Sequence, residues 1–178
     1  MRRQDSGFTL IELLMVVAII GIIAAVAVPG LLRARMAGNE ASAIGSMRAI
    51  NQGEATYHTS CGNGGYAIDL VDLAKPPSGS NQAFISPDLA TNGIVKSGYV
   101  VTIEKDNAAG TSDVGTPAAT CNAATNTPAT SYYASAGPLT PGSTGSRYFA
   151  TDSRGTLFYS TSGSVTNPIP ASALPVVQ

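Results

Sequence analysis

Hydrophobic and polar positions divide the chain into three stretches. Seven polar residues, MRRQDSG, precede an almost unbroken apolar run, FTLIELLMVVAIIGIIAAVAVPGLL, from Phe8 to Leu32. Its only charge is Glu12; the stretch from Leu13 to Leu32 carries none. As a helix that stretch spans about 30 Å, the thickness of a bilayer core. Beyond Leu32 the pattern becomes amphipathic. Met36, Ala43, Met47, Ile50 and Tyr57 recur along one helical face, interrupted by Glu54, and Ala37, Ala41, Ile44 and Ala55 form a second stripe of mostly small residues. Gly62-Asn63-Gly64-Gly65 ends the pattern. One helix from about Phe8 to Thr59 is predicted, with a membrane half (8–32) and an amphipathic half (33–59). At roughly 75 Å it is too long for a compact domain, so lipid or other subunits must bury its first half. Pro29 removes the bond to the Ala25 carbonyl, and Gly21 and Gly30 add softness, which predicts a mild kink.

The third stretch alternates short β-rich runs with turn residues. Residues 60–97 form a Gly-, Pro- and Ser-containing connector, in which YAIDLVDL (66–73) predicts one or two helical turns stopped by Lys75-Pro76-Pro77. Strands are predicted at 98–105, 130–136, 147–151 and 156–161, with Asp152-Ser153-Arg154-Gly155 as the hairpin turn between the last two. Residues 106–129 are low-complexity Ala, Thr, Gly and Pro and predict a loop; residues 163–178, with Pro168, Pro170 and Pro175, predict an irregular tail. The expected fold is α+β: the long helix packed on a small antiparallel sheet of about four strands spanning 98–162.

Composition narrows the chemistry. Only 12% of the 178 residues are charged and the net charge is −1. After Arg48 the cations Lys75, Lys96, Lys105, Arg147 and Arg154 are scattered, so no nucleic-acid footprint is expected. The lone histidine, His58, and the absence of any Cys/His cluster argue against an enzyme, a metal site or a cofactor. Gly62-Asn63-Gly64-Gly65 lacks the strand before it and the Lys-Ser/Thr after it that a phosphate loop needs. In an exported domain, Cys61 and Cys121 read as one disulfide closing a loop of roughly 60 residues; otherwise they are two buried thiols.

Arg2 and Arg3 flank one end of the apolar run and Arg33 and Arg35 the other, so charge counting leaves its orientation open. Glu12 is the anomalous residue, because a carboxylate near the end of an apolar helix is costly and calls for a partner. A free amine at Phe8, four residues away on the same helix or on a staggered neighbour, would supply one if the chain were cut after Gly7; without it, Glu12 snorkels to the headgroups.

Ser6-Gly7-Phe8-Thr9-Leu10-Ile11-Glu12-Leu13-Leu14, after a short basic leader, resembles the processing signature of type IV prepilins and type II secretion pseudopilins. The resemblance implies a pilin-like fold, a leader (1–7) cut by a prepilin peptidase between Gly7 and Phe8, and N-methylation of Phe8, which keeps the charge. It further implies that Glu12 pairs with the Phe8 amine of a neighbouring subunit, and that the segment from Gly21 to Pro29 unwinds in a filament. The implied partners are further copies of the chain in a helical polymer, the membrane before assembly and an inner-membrane assembly platform. The leader would stay cytoplasmic; the precursor would sit in the inner membrane and end in a surface pilus or, as a pseudopilin, in a short periplasmic filament. Major pseudopilins resemble one another in a calcium site of acidic loop residues; no Asp or Glu follows Asp152, which favours the pilus. With only Phe8 and Tyr57 aromatic between residues 8 and 59, the helix offers no aromatic chain for electron conduction.

Overall fold

The structure is a computed structural model that describes residues 7–176, so the expected leader apart from Gly7, and the last two residues of the expected tail, lie outside the described residues. Helix α1 (Leu10–Ser60) belongs to two compact units that divide between Arg35 and Met36.

In the first unit the helix is continuous through Gly21 and Pro29, and its apolar side chains from Leu10 to Leu32 are exposed. α1 is the one helix among the described residues long and apolar enough to cross a membrane. A helix apolar on every side, with nothing packed on it, needs lipid or protein around it.

The second unit packs the other half of α1 against a sheet. The buried positions Glu40, Ala43, Met47, Ile50, Glu54 and Tyr57 recur at alternating spacings of three and four, which keeps them on one face. Glu54, expected to interrupt that face, is fully buried within it. Ala37, Ala41 and Ala55 of the small-residue stripe are exposed.

Among the described residues the sheet has six strands rather than about four, in the order of the chain and antiparallel throughout. They are β1 (Ile94–Lys96), β2 (Tyr99–Lys105), β3 (Tyr132–Pro138), β4 (Tyr148–Asp152), β5 (Leu157–Ser160) and β6 (Leu174–Pro175). The four expected strands are β2 to β5. β1 lies in the expected connector and β6 in the expected irregular tail. β1 is hidden by its three-residue length, and its turn is Ser97-Gly98 with both residues at positive φ, the two-residue hairpin geometry usually signalled by Asn-Gly. β6 is two residues containing Pro175 at the sheet edge, where the missing N–H is tolerated.

Strand alternation gives the sheet two apolar faces. Tyr99, Val101, Ile103, Tyr132, Ala134, Ala136, Phe149 and Leu157 pack on the Ala43–Tyr57 face of α1. Tyr133, Ala150 and Phe158 point the other way and are covered by Val165, Ile169 and Ala173 of the tail. The tail is irregular over most of its length, yet it is a structural layer. The Tyr133 hydroxyl donates to the Val165 carbonyl, and Asn167, which precedes a cis proline, accepts from the Asn107 amide at 2.8 Å and donates to Glu104 at 2.8 Å.

Candidate functional site

The candidate site is the N-terminal segment around Glu12, and the second unit supplies the structure it carries. Glu12 sits in the first turn of α1, where four backbone N–H groups lack helical partners. Thr9 and Glu12 satisfy two of them reciprocally. The Thr9 amide donates to Glu12 Oε2 at 2.9 Å, the Glu12 amide donates to Thr9 Oγ1 at 3.3 Å, and the Thr9 hydroxyl donates to Glu12 Oε2 at 2.7 Å. This is a capping box, and its signature, Thr9-x-x-Glu12 before an apolar run, is legible in the sequence beneath the more conspicuous anomaly of the charge. Phe8 precedes the cap and is 90% exposed, so the backbone nitrogen that a cut after Gly7 would free lies beside an open ring. Gly21 and Pro29 lie within continuous helix in this chain, and a Cβ at Gly21 would meet nothing.

The second unit is held to its part of α1 by two polar clamps that periodicity could not reveal. Glu40, buried on α1, accepts from the Ser146 amide and hydroxyl at 2.9 Å each, from the Arg147 amide at 3.3 Å and from Arg147 Nε at 2.7 Å. Neighbouring Asn39 donates to the Thr144 carbonyl at 2.8 Å. The β3–β4 loop is thus pinned to the helix, and it can close down because residue 145 is glycine: a Cβ there would fall 2.0 Å from the Tyr99 hydroxyl. Arg147 also lies over the rings of Phe149 and Tyr159.

Burial pushes the Glu40 carboxyl up, but the hydrogen bonds from Ser146 and Arg147 and the guanidinium charge outweigh it and hold the group below its ordinary value of 4.5. A depressed value stabilises the fold above 4.5, and that contribution is lost as pH falls through the folded value. Glu40→Ala leaves two amides and a guanidinium without their acceptor. Because Arg147 is 37% exposed, water recovers part of the loss, and we expect a cost of about 2–3 kcal/mol. Urea titrations of the full chain in detergent check this: Glu40→Ala should also flatten the wild type's loss of stability in acid.

At the far end of α1, Cys61 and Cys121 are joined, with Cα atoms 4.7 Å apart. The bond ties the helix terminus to the 106–129 loop. The same junction is hydrogen-bonded: Cys121 N to Cys61 O at 3.2 Å, Ser78 N to Cys121 O at 3.0 Å, and Asn122 Nδ2 to the Asp72 and Lys75 carbonyls at 2.8 and 3.0 Å. His58 stacks on Tyr66, ring centroids 4.4 Å apart, in a packing role. Asp152 caps its turn by accepting from the Arg154 amide at 2.9 Å and pairs with that residue's guanidinium.

Comparisons with known proteins fall on the same segment. A family model described as the prokaryotic N-terminal methylation motif matches residues 2–28. The type IV wide pilus major component PilA4 of Thermus thermophilus is 60% identical over 38 residues, which is 21% of this chain and 29% of that protein. No solved structure matches. The likeness therefore rests on the N-terminal motif and not on the second unit. The methylation motif and the apolar N-terminal helix, together with an antiparallel sheet packed on the helix's second half, make the chain similar to the type IV pilin and pseudopilin family and support that family for it.

Proposed function

We propose that the chain is a structural subunit that polymerises through the first half of α1 into a type IV pilus-like filament. The observation that carries this reading is Glu12, the one charge in an otherwise uncharged, exposed apolar helix, placed five residues after Gly7. Prepilin peptidase cuts between Gly7 and Phe8 and the new Phe8 amine is methylated, which gives each helix a fixed positive charge. A neighbour staggered along the filament axis brings its own Glu12 to that amine. In a dry bundle of apolar helices such a pair is strongly selected over any other register. The N-terminal segment is held in the inner membrane until an assembly platform extracts it. Packing among neighbours then supports unwinding between Gly21 and Pro29, where Pro29 has no N–H to return to the Ala25 carbonyl.

The name of the Thermus relative, a pilus major component, favours a filament-body subunit on the cell surface over a pseudopilin in a short periplasmic filament. Mass spectrometry of the mature chain is the test. We expect loss of residues 1–7 and one added methyl group at Phe8, with long surface fibres in images of the same cells. Fibres confined to the periplasm would move the chain to the pseudopilins, and an intact Met1 terminus would overturn the subunit reading.

A further inference from the structure

Glu54 is completely buried, yet it has only one of the donors that a buried carboxylate requires. Its Oε2 accepts from the Ala67 amide at 3.0 Å, and Oε1 has no hydrogen-bond partner among the described residues. No cation faces it among the described residues. From its own helix it is faced by Tyr57, whose hydroxyl is also buried and unpartnered; from the connector by Tyr66; from β3 by Tyr132; and from α2 (Leu70–Ala74) by Asp72. Asp72 is itself buried but well solvated by protein. It accepts from the Thr125 amide at 2.5 Å, the Asn126 amide at 3.1 Å and Asn126 Nδ2 at 3.0 Å. Thr120 also faces Tyr57; its hydroxyl donates to the Pro117 carbonyl at 2.7 Å and accepts from the Ala124 amide at 2.8 Å.

The two carboxyls are therefore unequal. Asp72 has three donors and is built to be an anion. Glu54 has one donor, a neighbouring anion and aromatic walls, and is built to be an acid. We propose that the second unit folds around Glu54 as a neutral carboxylic acid, so that folding takes up one proton. This assignment removes an uncompensated charge from a fully buried site where Oε1 finds no donor among the described residues. Burial, with Asp72's charge adding to it, raises the Glu54 carboxyl well above 4.5, and burial followed by the Asp72 charge pushes the Tyr57 phenol up to about 12.

Such a group acts opposite to Glu40. With its folded value raised, its contribution is fully present below 4.5 and is lost as pH rises toward the folded value. Over that window the folded-to-unfolded ratio falls about tenfold per pH unit for the one proton involved. Glu54→Gln keeps the size and an acceptor for Ala67 and cannot ionise.

The test is an infrared titration of the full-length chain in detergent, upward from pH 4.5. The carbonyl stretch of a protonated carboxylic acid should persist in the wild type after ordinary carboxylates have ionised, and should be missing from Glu54→Gln. Urea titrations should show the wild type losing stability with rising pH while Glu54→Gln does not. An acid band that vanishes with the bulk carboxylates, or equal pH slopes for the two chains, overturns the proposal. Should Glu54→Gln fail to fold, persistence or loss of the band in the wild type decides it alone.

Discussion

Glu12→Gln is expected to leave the chain in the membrane, cut and methylated, and to abolish filaments. The choice of glutamine matters because Glu12 has two roles to separate at one place. Within the subunit it completes the capping box with Thr9, and between subunits it is the proposed partner of a neighbour's Phe8 amine. Glutamine serves in a capping box as glutamate does, so Glu12→Gln spares the helix start and removes only the charge. Removing one partner of a buried charge pair strands the other, and the penalty recurs at every subunit added. Filament yield should fall to below about one-hundredth of the wild type, since losses of that size per contact compound along the polymer. Thr9→Ala makes the opposite cut: it weakens the cap, keeps the charge, and should change filament yield by no more than about fivefold. Fibre counts for the three chains, with membrane fractions probed for the subunit, separate the roles. If Thr9→Ala matched Glu12→Gln, Glu12 would be a helix cap and nothing more.

How much of this is legible in the sequence follows from how local each signal is. The long helix, four of the six strands and the motif from Gly7 to Glu12 are recoverable because each depends on spacing within one segment. Glu40 is not, because its acceptor role exists only once Ser146 and Arg147, more than a hundred positions away, are brought to it. Glu54 looks like a break in the apolar face for the same reason: the Ala67 amide and the tyrosines that enclose it come from the connector and from β3. The tail matters more than its composition suggests. Its prolines do prevent regular structure, but Val165 and Ile169 are apolar enough to cover Tyr133 and Phe158, whose outward direction is fixed by strand alternation. In each case the missed feature is a polar or irregular residue whose meaning depends on a distant partner.

Those same features make the second unit's stability depend on pH from both sides. Glu40 must be an anion and Glu54, as proposed, an acid, so these two groups make stability greatest near the ordinary carboxyl value of 4.5, with a fall toward Glu40's depressed value in acid and toward Glu54's raised one as pH rises.

The largest loss of stability is expected from removing the Cys61–Cys121 bond, by Cys61→Ser with Cys121→Ser or by reduction. The bond closes a loop across 60 positions, and the chain-entropy estimate for a loop of that size is about 4 kcal/mol. The loop contains α2, β1, β2 and most of the 106–129 segment, so its closure restricts a large share of the unfolded chain. The hydrogen bonds at the junction do not replace it, because they form only once the chain has already folded: Asn122 to the Asp72 and Lys75 carbonyls, and the amides of Thr125 and Asn126 to Asp72. We expect the midpoint of thermal unfolding to fall by roughly 8–16 °C for a chain of this length. The denaturant slope should rise as well, because an unlinked unfolded state exposes more surface. Reduction of the wild type and the double serine variant should agree, since both act on the same loop. A midpoint unchanged by either treatment would mean that the buried polar contacts of Asp72 and Asn122 hold this junction without the covalent link.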